Sequence, residues 1–107
     1  MFEWFKNIFR KSKTPFSGRY VLVVDDSPVE REFYIQSLLK AGFECSGAVD
    51  APQALEMISR RRPDLIISDF MMPGMNGKEF CVQIKEDQST QSIPVIFLTG
   101  SASSQEV

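Results

Sequence analysis

The sequence contains no histidine, only two cysteines and no long apolar run. The lack of histidine excludes His-based acid–base catalysis and His metal ligands. Cys45 and Cys81 stand alone, outside any metal-ligand spacing. No apolar stretch approaches the ~18 residues of a membrane-spanning helix. The N-terminus is charged and has no small-residue cleavage site, so it does not match a secretory signal.

Neither positively nor negatively charged residues are in large excess. Twelve Lys and Arg stand against fourteen Asp and Glu, which gives a net charge of −2 and predicts no direct binding to nucleic acid. The basic run at residues 60–62 ends a predicted helix, and we interpret it as complementing the helix dipole. Because both cysteines fall in apolar patterns, we interpret them as reduced core residues of a cytoplasmic protein.

A chain of 107 residues with 43% hydrophobic residues forms at most one domain with a packed core. Apolar strand-like segments alternate with helical patterns. The predicted strands are 20–24, 43–49, 65–68 and 94–98, and the predicted helices begin at Ser27, Asp50 and Asn76. This alternation predicts a parallel sheet with helices on both faces, a three-layer α/β fold. The small residues of the second strand predict that it lies at an edge.

Helix boundaries can be predicted from capping residues. Ser27 with Glu30, and Asn76 with Glu79, match the pattern of a capping box. Gly42 is positioned to end the first helix. The residues predicted to face the core from the first and third helices are Phe33, Leu38, Phe80, Cys81 and Ile84.

The first 13 residues form a separate pattern. Phe2, Phe5 and Phe9 recur at helical spacing beside Trp4 and Ile8, and basic residues occupy most of the other side. We predict an amphipathic helix at 1–13, a linker at 14–19 and the main domain at 20–107. Such a helix can contact a membrane surface or a partner's groove, but packing on this domain or on a second copy is the more ordinary interpretation.

Four polar residues come at the ends of predicted strands: Asp25, Asp26, Asp69 and Thr99. In a parallel sheet these positions share one edge. Crowded carboxylates repel each other and call for a cation, and an all-oxygen site suits Mg²⁺ or Mn²⁺. A carboxylate can also act as a nucleophile towards phosphorus. We expect Asp69, which precedes a Pro- and Gly-rich turn, to be the most accessible acid and therefore the nucleophile.

Three segments strongly resemble the receiver domain of two-component response regulators. They are Val-Val-Asp-Asp-Ser-Pro (23–28), Ile-Ser-Asp-Phe-Met-Met-Pro-Gly-Met-Asn-Gly (67–77) and Pro-Val-Ile-Phe-Leu-Thr-Gly (94–100). Their order and spacing match that family, and the resemblance runs from about Tyr20 to the last residue. It implies a flavodoxin-like fold with strand order 2-1-3-4.

The resemblance also implies roles for particular residues. Asp69 matches the phospho-accepting aspartate, and Asp25 and Asp26 match the acidic pair that binds Mg²⁺ together with it. Met71 matches the position whose backbone carbonyl completes the metal shell, and Thr99 matches the switch hydroxyl. The phosphoryl donor in this family is a phosphohistidine on a sensor histidine kinase or phosphotransfer protein.

The sequence departs from the family pattern after the fourth strand. It lacks the usual helix 4, strand 5 and helix 5, and no lysine follows Lys85 to pair with the phosphoryl group. An exposed fourth strand and bare apolar helix surface are then expected to favour a homodimer. The alternative function is an interaction module that dimerises without phosphorylation. A phosphatase with an aspartyl intermediate is less favoured, because Met71 occupies the place of its general acid, and we expect no enzyme activity.

Overall fold

The computed structural model describes residues 18–72 and 74–98, which form one four-stranded parallel sheet with helices on both faces. The sheet order is β2-β1-β3-β4, as predicted. The strands are β1 (Tyr20–Val24), β2 (Glu44–Ala48), β3 (Leu65–Asp69) and β4 (Val95–Leu98), and the helices are α1 (Pro28–Lys40), α2 (Ala51–Arg60) and α3 (Gly77–Glu86). The predicted N-terminal helix and Thr99 lie outside the described residues.

The buried residues divide between the two faces of the sheet because successive strand residues point to opposite sides. On one face, Leu22, Val24 and Ile66 pack with buried residues of α2 and α3, which include Ile58 and Phe80. On the other face, the side chains at positions 21, 23, 65, 67 and 98 pack with Tyr34 and Leu38 of α1. The three-layer α/β prediction is therefore confirmed.

The prediction for the buried face of α1 was partly wrong. Leu38 is buried, but Phe33 is 52% exposed and Tyr34 takes the expected place in the core. Apolar residues occur on almost every side of α1, so its sequence does not define one buried stripe. Cys81 is only half-buried, and Cys45 is half-buried on the edge strand β2. Both thiols are free, and burial raises the pKa of Cys45 to about 12.

Three arginines at the end of α2 make specific contacts. Arg60 pairs with Glu56 one turn earlier, at 2.7 Å. Arg61 pairs with Glu44 of β2 and lies 4.0 Å from the centre of the Tyr20 ring. Arg62 donates hydrogen bonds to the backbone oxygen of Ser89 and to Ser92 Oγ. Arg61 therefore connects the C-terminal end of α2 to the start of β2, and Arg62 connects it to the loop between α3 and β4.

Within the described part of the chain, none of the helices has the length and apolar character needed to cross a bilayer.

Candidate metal centre

Three acidic side chains meet at the carboxyl end of the sheet. Carboxylate oxygens of Asp25, Asp26 and Asp69 all lie within 4.8 Å of one another. Asp25 and Asp26 directly follow β1, and Asp69 is the last residue of β3. Since β1 and β3 are adjacent and parallel, with Val24 paired to Ser68, their ends bring these acids to one point. The predicted convergence of the three carboxylates is confirmed.

Asp25 is held in place by contacts to its backbone and to one side-chain oxygen. Its backbone N–H donates to the oxygen of Ala48, which extends the ladder between β1 and β2. Its backbone oxygen accepts a 2.7 Å hydrogen bond from Arg31 Nη1. Its Oδ1 accepts a 2.9 Å hydrogen bond from the backbone N–H of Ser27. The carboxylate is therefore fixed before any ligand binds.

This last contact corrects the prediction of a capping box at α1. Ser27 Oγ does accept from the backbone N–H of Glu30, as an N-cap should. The reciprocal bond is not formed, because the Ser27 N–H is taken by Asp25 rather than by the Glu30 side chain. At α3 both halves of the predicted box are present, between Asn76 and Glu79. The start of α1 is thus adapted to hold an acid of the site.

The second oxygen of the Asp25 carboxylate, Oδ2, is buried and has no hydrogen-bond partner. The residue itself is 0% exposed. Burial raises its pKa to about 6, the Ser27 N–H lowers it, and the charge of Glu30, a side-chain interaction with the Glu30 carboxyl group and the charge of Asp26 raise it again. A buried carboxylate oxygen without a donor is costly, because the charged form loses its hydration without compensation. A cation at this oxygen would remove that cost.

Asp69 is positioned by the tight turn that follows it. Its Oδ1 accepts a 3.3 Å hydrogen bond from the backbone N–H of Met71. Burial raises its pKa, the Met71 N–H lowers it, and Asp25 and Asp26 raise it further. Asp25 and Asp69 therefore lie where burial and neighbouring negative charge oppose ionisation.

Gly77 allows α3 to begin against the end of β3. A Cβ at this position would lie 2.8 Å from the Asp69 backbone oxygen, 2.8 Å from Phe70 Cα and 2.9 Å from Phe97 Cε1. The Gly77 N–H donates a 2.7 Å hydrogen bond to the Phe70 oxygen. Only glycine fits this approach without displacing backbone atoms. Gly77 thus supports the position of Asp69.

The prediction that Asp69 is the most accessible acid was wrong. Asp26 is exposed, Asp69 is half-buried and Asp25 is fully buried. Asp69 belongs to β3 itself, where it is paired with Leu98, whereas Asp26 lies in the loop that leads into α1. Its place at the end of an inner strand, rather than in the turn, explains the difference.

The donor set fits a hard divalent cation. Several carboxylate oxygens at one solvent-accessible edge match the ligands that Mg²⁺ prefers, since it binds one or two carboxylates and retains water. The unpartnered Asp25 Oδ2 is the observation that tests this fit, because it needs a cation or a donor. Met71 lies two residues after Asp69 and is 58% exposed. Thr99 lies outside the described residues.

Two residues that support the site were not predicted from the sequence. Arg31 lies in the first predicted helix and was assigned no role, yet its guanidinium donates a hydrogen bond to the Asp25 backbone oxygen. Gly77 was noted only as part of a turn. A glycine directly after the N-cap Asn76, where a better helix former would be expected, was the signal for a close approach. No comparable signal marked Arg31, because its partner is a backbone oxygen.

A parallel sheet of order 2-1-3-4 with an acidic cluster at the ends of β1 and β3 defines a flavodoxin-like protein with a site at the strand ends. The family model for the response regulator receiver domain matches residues 21–107. The chain therefore belongs to the receiver domain family of two-component response regulators. Receiver domains typically bind Mg²⁺ in an acidic pocket, interact with histidine kinases or phosphotransfer proteins and are generally not enzymes.

Curated relatives are considerably longer than this chain. The phosphate regulon transcriptional regulatory protein PhoB of Pseudomonas aeruginosa is 43% identical over 83 residues, which cover 78% of this chain and 36% of PhoB. The response regulator PleD of Caulobacter vibrioides is 42% identical over 80 residues, which cover 75% of this chain and 18% of PleD. A probable cyclic di-GMP phosphodiesterase of Vibrio cholerae is 36% identical over 99 residues, 22% of its length.

Solved structures of receiver proteins share the fold. The N-terminal domain of a response regulator receiver protein from Methanoculleus marisnigri is 38% identical, with a TM-score of 0.73, over 75% of this chain and 65% of that one. The chemotaxis response regulator CheY4 of Vibrio cholerae is 34% identical, with a TM-score of 0.73, over 76% and 68%. The predicted fold class and family are confirmed.

Proposed function

We propose that this chain accepts a phosphoryl group on Asp69 from a phosphohistidine of a sensor kinase or phosphotransfer protein in the cytoplasm. Asp25, Asp26, Asp69 and the backbone carbonyl of Met71 hold Mg²⁺, or Mn²⁺, beside the acceptor. Thr99 provides a hydroxyl for the transferred group. The modified chain acts through a change in its association with itself or with a partner.

The single observation that carries this proposal is the cluster of three carboxylates around a buried oxygen without a partner. Such a cluster is unfavourable for folding, since it concentrates negative charge where burial opposes ionisation. It is advantageous only if a cation is bound. A carboxylate next to a bound cation is in turn placed to receive an anionic phosphoryl group.

The transfer is a substitution at phosphorus. An oxygen of the Asp69 carboxylate forms the new P–O bond as the P–N bond to histidine breaks, and the histidine nitrogen leaves with the electron pair. The product is an aspartyl phosphate. Mg²⁺ held by Asp25, Asp26 and Asp69 would supply positive charge to offset the charge of the phosphoryl oxygens. The Met71 N–H orients the Asp69 carboxylate through its hydrogen bond to Oδ1.

The test uses the full chain with Mg²⁺ and acetyl phosphate, a small phosphoryl donor, followed by intact mass measurement. We expect a gain of one phosphoryl group in the wild type and none in Asp69→Asn. Asp50→Asn is the matched control, because Asp50 only caps α2 and asparagine caps equally well. Labelling that persists in Asp69→Asn, or that is absent in the wild type, would contradict the proposal.

The second candidate function is association without phosphorylation. It is favoured by β4, which has a strand neighbour on only one side within the described sheet and carries half-buried apolar side chains. An edge strand of this kind is suited to pair with another chain. The two functions differ in whether association depends on the acidic cluster.

A further inference from the structure

On one face of the sheet, the described helices lie over only part of the strands. On this face, α1 lies mainly over β2 and β1. Every helical side chain of the buried cluster there comes from α1, among residues 18–72 and 74–98. Ile67 of β3 and Ile96 and Leu98 of β4 belong to the same apolar face. Within the described residues, no second helix lies beside α1 to pack over β3 and β4.

The opposite face provides the comparison. There, both α2 and α3 contribute buried side chains, and the strand residues between them are fully enclosed. Two helices are needed to cover four strands, because a helix with its side chains is about 10 Å wide and strands are about 4.8 Å apart. The α1 face has one described helix and room for a second beside it.

The composition of the sequence indicates which segment can supply this cover. Residues 99–107 contain one large apolar residue, Val107. Residues 1–13 contain Phe2, Trp4, Phe5, Ile8 and Phe9, which fall on one side of a helix. Each buried aromatic ring removes a large apolar area from water, about 150–250 Å². Within the given sequence, the N-terminal segment is the one that matches the apolar face of β3 and β4 in character.

The attachment point and the length of the segment also fit. Gly18 hydrogen-bonds to Gly42, which precedes β2, and β1 starts two residues later. Four residues, 14–17, reach at most about 14 Å, which is enough to cross the two strand spacings of about 4.8 Å from β2 to β3. Thirteen helical residues span about 20 Å, and a five-residue strand spans about 17 Å. The tether is short enough to favour docking within the same chain.

The distribution of charge along the sequence also supports residues 1–13 as the segment that packs there. Residues 1–13 carry four basic residues and one acid, while the whole chain has a net charge of −2, so the remainder is clearly acidic. We propose that residues 1–13 pack as an amphipathic helix on the face of β3 and β4 beside α1, with their aromatic side towards Ile67, Ile96 and Leu98. Their basic side then faces water.

Trp4 is the single tryptophan of the sequence and reports directly on this packing. In the chain of residues 1–107 we expect blue-shifted Trp4 emission and weak quenching by acrylamide, both independent of protein concentration. The paired variants Ile96→Lys and Val95→Lys separate the two faces of β4. Ile96 packs with the α1 face, whereas Val95, its neighbour, packs with the α2–α3 face.

We expect Ile96→Lys to red-shift the emission of Trp4 and increase its quenching, and Val95→Lys to leave both unchanged. Far-UV circular dichroism establishes that each variant is folded, and Ile96→Ala with Val95→Ala provides a milder pair if either lysine variant unfolds. Water-exposed Trp4 in the wild type, or equal effects of the two substitutions, would overturn the proposal. Protection that disappears on dilution, together with a fall in mass by light scattering, would identify a second copy as the occupant and overturn it too.

Discussion

Asp25 shows at the level of a single residue how the site opposes folding. The residue is fixed by Ala48, Arg31 and Ser27, yet its Oδ2 has no donor. Its pKa is raised from 3.8 to about 6, so the folded chain binds this proton more tightly than the unfolded chain. The corresponding stability is present below about pH 4 and is lost as pH rises through about 6.

The change Asp25→Asn is expected to raise the free energy of unfolding at pH 7 without Mg²⁺. The gain is on the order of 2 to 3 kcal/mol, because one pKa unit corresponds to about 1.4 kcal/mol. Asparagine keeps an oxygen for the Ser27 N–H and carries no charge. Urea unfolding at pH 7 and pH 4 measures the effect, which should be much smaller at pH 4.

Mg²⁺ provides the control for this prediction. It should stabilise the wild type at pH 7, by about 2.7 kcal/mol at one hundred times its dissociation constant, and should have little effect on Asp25→Asn. Sodium chloride at matched ionic strength accounts for screening of the acids. A variant that is less stable than the wild type at pH 7 without Mg²⁺ would show that Asp25 is not under electrostatic strain.

Features of single residues could be predicted from the sequence where neighbouring residues in the chain determine them. The three acids were predicted because each follows a short apolar strand, and strand ends are defined by sequence. The accessibility of Asp69 and the partner of the Ser27 N–H could not be predicted, since both depend on the spacing between β1, β3 and the start of α1. Phe33 was misassigned because α1 has apolar residues on nearly every side.

Among the elements, α3 has the most restricted position. Its first residue, Gly77, lies against the backbone of Asp69 and Phe70, and its capping box closes the turn that holds Met71. The strands and this capping box were predicted from alternation and capping residues, whereas the sheet order was implied by the resemblance to receiver domains. The close contact between α3 and β3 could not be predicted from the sequence, because it depends on how near the two elements lie in the folded chain.

The change Gly77→Ala should therefore destabilise the chain by about 1–3 kcal/mol, as expected for overpacking against atoms that cannot yield. It should also weaken Mg²⁺ binding, because the Asp69 backbone must shift. Gly18→Ala is the control: its φ of 78° makes alanine strained, but no atom lies within 4 Å of its Cβ and it is far along β1 from the site.

Thermal unfolding and Mg²⁺ titration of the two alanine variants distinguish backbone strain, which lowers stability only, from a displacement of Asp69, which also weakens Mg²⁺ binding. Gly18→Ala should lose stability and keep the wild-type Mg²⁺ affinity. Equal Mg²⁺ affinity in Gly77→Ala and the wild type would mean that α3 does not position Asp69.

At the scale of the whole molecule, Asp69 of the acidic cluster lies on β3, next to β4, and the other side of β4 has no strand neighbour among the described residues. Asp69 is paired with Leu98, and Phe70 contacts Phe97 edge to face at 5.4 Å between ring centres. If Asp69 accepts a phosphoryl group as proposed, we expect the change in its charge to affect the side chains of β4 through these two contacts. The contacts would then link the proposed acceptor to the proposed association surface.

Light scattering with Mg²⁺ and beryllofluoride, which mimics a phosphoryl group, tests that route. We expect the mimic to change the solution mass of the wild type and to leave Asp69→Asn unchanged, since the variant lacks the acceptor oxygen. The Asp50→Asn chain should respond like the wild type. A mass that does not respond to the mimic in any of these chains would instead support association without phosphorylation.

The unpartnered oxygen of Asp25 also has a consequence for how such a sequence can change over time. Any substitution that neutralises or pairs this carboxylate makes the metal-free chain more robust and removes the feature suited to a cation. Selection for heat resistance alone, in a medium without divalent ions, should therefore recover replacements at Asp25 early and repeatedly. We expect Asp25 to be retained only where binding a cation is under stronger selection than the stability of the metal-free chain.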